Sequence, residues 1–414
     1  MERLLLLIPT TSYRVSDFLA AADRLGVDVV VGSNQRSVLE EFADGGTVTL
    51  DLADPAKGTA EIVAYARERP LAAIVGVDDE TTVLAAIASA ALDLPHNAPE
   101  SVAAARNKFR FRTALANAGP RSPAFRLLSV DDDARRAARE QSFPCVLKPL
   151  SLAASRGVIR ADDAAGFVAA FERIGAILHS PDVAGLGDAA EAILVEDYIP
   201  GVEVALEALL VGGRLNVLAL FDKPDPLEGP FFEETIYVTP SRLAAATQES
   251  IVAETTRAVA ALGLHDGPVH AELRVNDRGP WVIELAARSI GGLCSRVLRF
   301  GAGVGLEELI LRHALGLPIE SLEREQRPAG VMMIPTPKAG ILRAVRGLDE
   351  ARGVAGIDEV TISIAIGREV IPPPEGYRYL GFLFARADTP EAAEATLREA
   401  HACLDFDIEP AESA

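Results

Sequence analysis

The stretch HAELRVNDRGPWVIELAARSIGG, residues 270–292, carries two short apolar runs on either side of a turn at Asn276–Gly279. Alternating apolar residues around Asn, Asp and Gly predict a β-hairpin. Each run also holds an acid, Glu272 on one and Glu284 on the other. An ionised carboxylate in an apolar strand needs a cation, and hard divalent ions take oxygen ligands. Two facing acids that hold magnesium against ATP phosphates account for the pair better than two edge-strand surface acids would. Manganese would serve the same ligands. Arg288 follows Glu284 by four residues, placed to clamp a transferring phosphoryl group or a substrate carboxylate.

Upstream of the hairpin lie the groups a polyphosphate would need. Lys108 opens a basic helical stretch, RNKFRFRTALANA (106–118), and Lys148 ends a strand in VLKP. A charge at the end of a buried strand is costly without a partner. Two ammonium groups converging on phosphate would supply positive charge that the chain otherwise lacks. The loop SLAASRGV (151–158) offers Ser151, Ser155 and Gly157, small residues whose backbone can approach phosphate oxygens closely. Read alone it is equally a mobile turn, and the chain has no GxxxxGK[ST] loop. In VEDYIPGVEV (195–204), Glu196 and Glu203 bracket a turn at Pro200–Gly201. A strand running into such a turn exposes backbone at Asp197, Tyr198 and Ile199 that can read an adenine edge. An acid after the turn can accept from ribose hydroxyls.

Around these motifs the chain alternates between two kinds of pattern. Residues 1–105 pair strand-like runs (LLLLI, VDVVVGS, TVTLDL, LAAIVGVDD) with helical ones, the signature of a parallel sheet covered on both faces. No Gly-rich dinucleotide fingerprint follows the first strand, which argues against a dehydrogenase. VEVALEALLVGGRLNVLALFDK reads as a hairpin around Gly212–Gly213, and residues 326–414 read as an α+β module of their own. With 414 residues, two to four domains are expected. The formal net charge of −20 makes nucleic acid an unlikely partner. Cys145, Cys294 and Cys403 form no zinc pattern and read as reduced thiols of a cytoplasmic protein. The short apolar start ends at Pro9 and fits a buried strand rather than a leader, and no stretch is long enough to span a bilayer.

The order of Lys108, VLKP, the small-residue loop, VEDYIPGVE and HAEL…IELAARSIGG resembles the ATP-grasp superfamily over about residues 1–325. LFDKPDPLEGPFFEETIYVTPSRL, ELAARSIGG and the C-terminal module resemble its L-amino-acid ligase branch. The resemblance implies an α/β and α+β fold in three parts. These are an N-terminal doubly wound pre-ATP-grasp domain (1–105), an ATP-grasp domain (106–325) with a mobile lobe over about 120–200, and a C-terminal α+β domain (326–414). It implies an ADP-forming carboxylate–amine ligase that makes an amide or peptide bond through an acyl phosphate, with ATP and magnesium and with small-molecule carboxylate and amine substrates. A homodimer is one expected assembly. Lys108 and Lys148 would then contact phosphate and nucleotide, Glu196 with the backbone of Asp197 to Ile199 would hold adenine, and Glu203 the ribose. Glu272 and Glu284 would bind magnesium, and Arg288 would steady the acyl phosphate. In DKPDPLEGPFFEET, Glu233 or Glu234 is expected to hold the substrate's amino group beside an apolar wall. Many ATP-grasp enzymes place Asn two residues after the second metal acid. Here Ala286 stands there, which leaves one ligand of a second magnesium in doubt. The competing readings are an ATP-grasp carboxylase and a nucleotide-binding protein without turnover.

Overall fold

The computed structural model describes residues 3–35, 46–183, 187 and 189–410, so part of the Gly/Asp-rich stretch near 180–190 lies outside the described residues. The first apolar run forms the strand Arg3–Leu7. It lies between Asp28–Ser33 and Ala73–Gly76, with Thr47–Thr49 at the edge, and all four strands are parallel. Leu4 and Leu6 pack into one core with the helices Val15–Leu25 and Leu306–Ala314. Leu5 and Leu7 pack into another with Ile62 and Leu84, from the helices Pro55–Glu68 and Asp79–Ala91. Burial on both faces is why this strand reads as one continuous apolar run.

The basic stretch 106–118 divides in two. One helix, Pro99–Arg106, stops before Asn107, and the next runs Lys108–Ala118. The Asn107 side chain accepts from the amides of Phe109 and Arg110, both at 3.1 Å, and so caps the second helix. Lys108 therefore stands at the very start of that helix.

A small antiparallel sheet follows, ordered Phe125–Ser129, Ala192–Asp197, Cys145–Pro149, Ile159–Ala161. The helix Ala164–Leu178 covers it through Phe167, Phe171 and Ile174. The predicted hairpins, 202–223 and the one turning at Asn276–Gly279, form the head of a second, eight-stranded antiparallel sheet. Its order is Gly279–Ala286, Gly267–Asn276, Val202–Val211, Arg214–Lys223, Ile236–Thr239, Ala329–Ile334, Gly381–Arg386, Ile357–Ile362.

The last three of those strands belong to the stretch expected as a module of its own. They instead extend the central sheet, because Ile236–Thr239 pairs directly with Ala329–Ile334. The C-terminal stretch does keep a separate three-stranded sheet, Glu369–Val370, Gly340–Arg346 and Asp405–Glu409, and a core closed by the helix Pro390–Cys403. Among the described residues no helix is long and apolar enough to cross a membrane.

Candidate active site

A cleft lies where the small sheet faces the head of the large one. Lys108, Lys148, Ser155, Glu196, Asp197, Tyr198, Ile199, Glu203, Glu272 and Glu284 all line it, from segments spread over 177 positions of sequence numbering. Folding thus brings most of the predicted residues together. Glu272 and Glu284 are direct cross-strand partners, with an irregularity in register immediately after Glu272. Lys108 Nζ reaches Glu284 at 3.4 Å and donates to the Leu152 carbonyl at 2.8 Å, tying the helix start to the small-residue loop.

Buried ion networks fix the cleft. Glu196 is 3% exposed and accepts from Lys148 Nζ at 2.7 Å and from Arg112, whose Nε and Nη2 lie at 2.7 and 3.2 Å. Arg112 also donates to the Val282 and Ile283 carbonyls at 3.3 and 2.5 Å, so one guanidinium clamps the hairpin to the small sheet. Burial lowers the Lys148 ammonium below its ordinary value, with Glu196 opposing. Burial would raise Glu196, but Arg112 and Lys148 hold its carboxyl below the usual range. Both Glu196 oxygens are therefore engaged by cations, and the carboxylate, which lines the cleft, holds Lys148 in place.

Lys223 occupies the centre of the acid cluster. Glu203, Glu234 and Glu272 each place one oxygen within 4.8 Å of the others. Lys223 Nζ bonds Glu203 at 2.8 Å, reaches Glu272 at 3.3 Å and also bonds Glu234. Burial opposes its charge, yet the three acids raise its pKa well above the ordinary value. Burial would likewise raise Glu272; Lys223 and His270 pull it far below the carboxylate range. Burial and the neighbouring Glu272 keep Glu234 above that range, outweighing Lys223. His270 bridges Glu207 at 2.5 Å and Glu272 at 3.2 Å. Burial pushes its pKa down, but these acids raise it to about 9. Glu203 accepts from Arg274 Nε at 2.8 Å as well as from Lys223. A carboxylate has about four acceptor sites, so capacity for a hydroxyl remains.

A second cavity of about 210 Å³ adjoins the cleft, and Ala154, Ser155, Glu234, Glu272 and Glu284 line both. Arg288 lines this cavity, with Nη2 on Asp79 at 2.6 Å and Nη1 on the Ser289 carbonyl at 2.8 Å. Burial would lower Arg288, but Asp79 raises it. A larger cavity of about 540 Å³, between the small sheet's helix and the C-terminal segment, contains none of the phosphate or metal candidates. We therefore centre the chemistry on the joined pair, despite the greater size of the third space.

Three expected contacts stand elsewhere. Ser151 lines neither joined space. The Gly157 amide donates to the Pro374 carbonyl at 2.9 Å, because the loop turns left-handed at Ala154, Ser155 and Gly157 and brings that amide against the C-terminal segment. Glu233 accepts from the Thr336 amide at 3.2 Å and turns away from both spaces, so Glu234 alone of that pair faces them. Sequence reasoning missed Arg112, Lys223 and Arg274. Lys223 carried a signal, since FDKP repeats the strand-end Lys-Pro of VLKP; Arg112 stands four residues after Lys108, on the same helix face.

Family models match three consecutive parts of the chain: ATP-grasp N-terminal domain over residues 19–96, ATP-grasp domain over 141–297, and L-amino acid ligase C-terminal domain 2 over 332–409. This chain belongs to the ATP-grasp ligases. The crystal structure of an L-amino acid ligase from Bacillus licheniformis superposes on this ligase with a TM-score of 0.85 at 28% identity, covering 99% of each chain. Alanine–anticapsin ligase of Bacillus subtilis (strain 168) is 27% identical over 220 residues, 50% of this ligase and 46% of that protein. Dapdiamide A synthase of Enterobacter agglomerans is 29% identical over 195 residues, 47% of this ligase and 44% of that one. The matches therefore span about half the length of those curated ligases.

Proposed function

We propose that this ligase joins the carboxylate of one amino acid to the amine of a second substrate, forming ADP and phosphate by way of an acyl phosphate. The observation that carries the reading is the shared wall. The acids suited to a metal, Glu272 and Glu284, and the loop residues Ala154 and Ser155 line both the cleft and the adjoining cavity. A carboxylate in that cavity would therefore meet the phosphate end of a nucleotide in the cleft, and positioning of this kind supplies much of the rate in phosphoryl transfer.

Lys108 and Lys148 would engage the phosphates, the backbone of Asp197 to Ile199 the adenine, and Glu203 the ribose. The donor set suits magnesium, since Glu272 and Glu284 offer hard oxygens on paired strands and Lys223 already neutralises the inner acids. Bound there, the ion would spread charge from the phosphates. Arg288, kept charged by Asp79, would steady the developing acyl phosphate. No covalent nucleophile is required. A phosphate-release screen over pairs of amino acids, with products weighed by mass spectrometry, tests the reading. Phosphate release that needs both an acid and an amine supports it; release with bicarbonate alone would favour the carboxylase reading.

A further inference from the structure

On the ligase reading two reactants meet in the cavity that adjoins the cleft, yet that cavity measures only about 210 Å³. Ligand pockets ordinarily run from about 300 to 1,000 Å³, so bulky reactants need more room. The space of about 540 Å³ between the small sheet's helix and the C-terminal segment shares a wall with it. Tyr377 lines both, and the small-residue loop puts Ser155 on the inner cavity and Arg156 on the outer space.

Tyr377 is loosely held. It is 40% exposed, and the guanidinium carbons of Arg156 and Arg378 lie 5.3 and 5.8 Å from its ring centre. Contacts of this kind are weak where water reaches them. The ring therefore partitions the two spaces without being locked in place.

The outer space has the chemistry of a side-chain pocket. Ile177, Ile364, Val370 and Ile371 line it. Its three guanidiniums, from Arg156, Arg173 and Arg378, are matched by the carboxylates of Asp182, Glu375 and Glu369, and the first two pairs are in contact at 2.6 and 2.5 Å. No charge is left over to select an ion, whereas the apolar walls favour buried hydrocarbon.

Building on the ligase reading, we propose that the outer space is a subsite for a long apolar or aromatic substrate side chain, and that Tyr377 sets how far such a side chain can enter it. Small side chains are served by the inner cavity alone.

The test replaces each amino acid accepted in the screen by alanine, leucine, phenylalanine and tryptophan, first on the acid side and then on the amine side. In Tyr377→Ala, kcat/KM for phenylalanine and tryptophan relative to alanine should rise about 10- to 100-fold on one side, the scale on which an apolar pocket discriminates by size. The ratio to alanine cancels any general change in rate. Ala176 lines the outer space from an exposed position of the helix Ala164–Leu178, so Ala176→Trp narrows that space and leaves the inner cavity alone. Combined with Tyr377→Ala, it should abolish the gain. An unchanged ratio in Tyr377→Ala, or a gain that survives Ala176→Trp, overturns the proposal. Should no pair release phosphate, the ligase reading fails by itself. Calorimetry with L-phenylalanine and L-alanine then decides on the subsite: Tyr377→Ala should strengthen binding of phenylalanine alone, and unchanged phenylalanine binding overturns it.

Discussion

At the scale of single residues, the site works by giving each charge a fixed neighbour. Lys148 is held toward the cleft by Glu196, and Glu196 in turn by Arg112, so removing the lysine leaves its partner still neutralised. Lys148→Ala should therefore fold and lose about 1.5–3 kcal/mol of ATP affinity, the range for a charge-assisted hydrogen bond. Unchanged calorimetric affinity would take the lysine out of the site. Glu284 differs from Glu272 in having less around it. Its side chain is 36% exposed and its cation is Lys108, at 3.4 Å. Glu284→Gln keeps the shape and removes the charge, so turnover should collapse while the unfolding midpoint barely moves. Near-wild-type turnover at saturating magnesium would exclude Glu284 as a ligand. Lys223 shows what a residue-by-residue reading overlooks, because its meaning depends on three acids from three separate segments meeting around it.

At the scale of elements, the hairpins, the parallel first layer and the turn at Asn276–Gly279 were legible because local patterning and burial agree there. The joining of Ile236–Thr239 to Ala329–Ile334 was not, since nothing in either apolar run names its partner. The Pro374 contact of Gly157 was hidden for the same reason, being set by packing between segments over two hundred residues apart. Arg112 is the clearest case of an element-level tie. From one helix it holds an acid of the small sheet and two carbonyls of the hairpin that turns at Asn276–Gly279, at 1% exposure. Without it Lys148 still faces Glu196, but that carboxylate and the Val282 and Ile283 carbonyls lose a buried donor, so Arg112→Leu should cost about 1–3 kcal/mol in stability. Urea unfolding measures it, and a loss below about 1 kcal/mol, the scale of an exposed pair, would show that the clamp is not what joins the two sheets.

At the scale of the whole molecule, the small sheet's helix and its loop are fastened to the C-terminal segment. Arg173 Nε and Nη2 meet Glu375 at 2.5 and 2.8 Å, the Gly157 amide bonds Pro374, and the Arg156 guanidinium carbon lies 5.3 Å from the Tyr377 ring centre. Tyr377 also lines the cavity that adjoins the cleft. The Arg173–Glu375 pair is about half exposed, at 44% and 42% of its side-chain surfaces, and should respond to ionic strength. The hydrogen bond from Arg173 holds Glu375 below the usual carboxylate value. A depressed pKa contributes stability above the unfolded value and loses it as pH falls through the folded one. Between neutral and alkaline pH the fastening should therefore hold, weakening only in acid. Glu375→Ala should loosen it at any pH, raising hydrogen exchange of residues 151–158 in the nucleotide-free protein, with a smaller difference once ATP is bound. In wild type, moving from about 0.1 to about 1 M salt shortens the screening length from about 10 to about 3 Å and should reproduce part of that gain. If neither the substitution nor salt changes exchange in 151–158, the contacts with Gly157 and Tyr377 hold the loop without the ion pair, and Glu375 plays no part in fastening it.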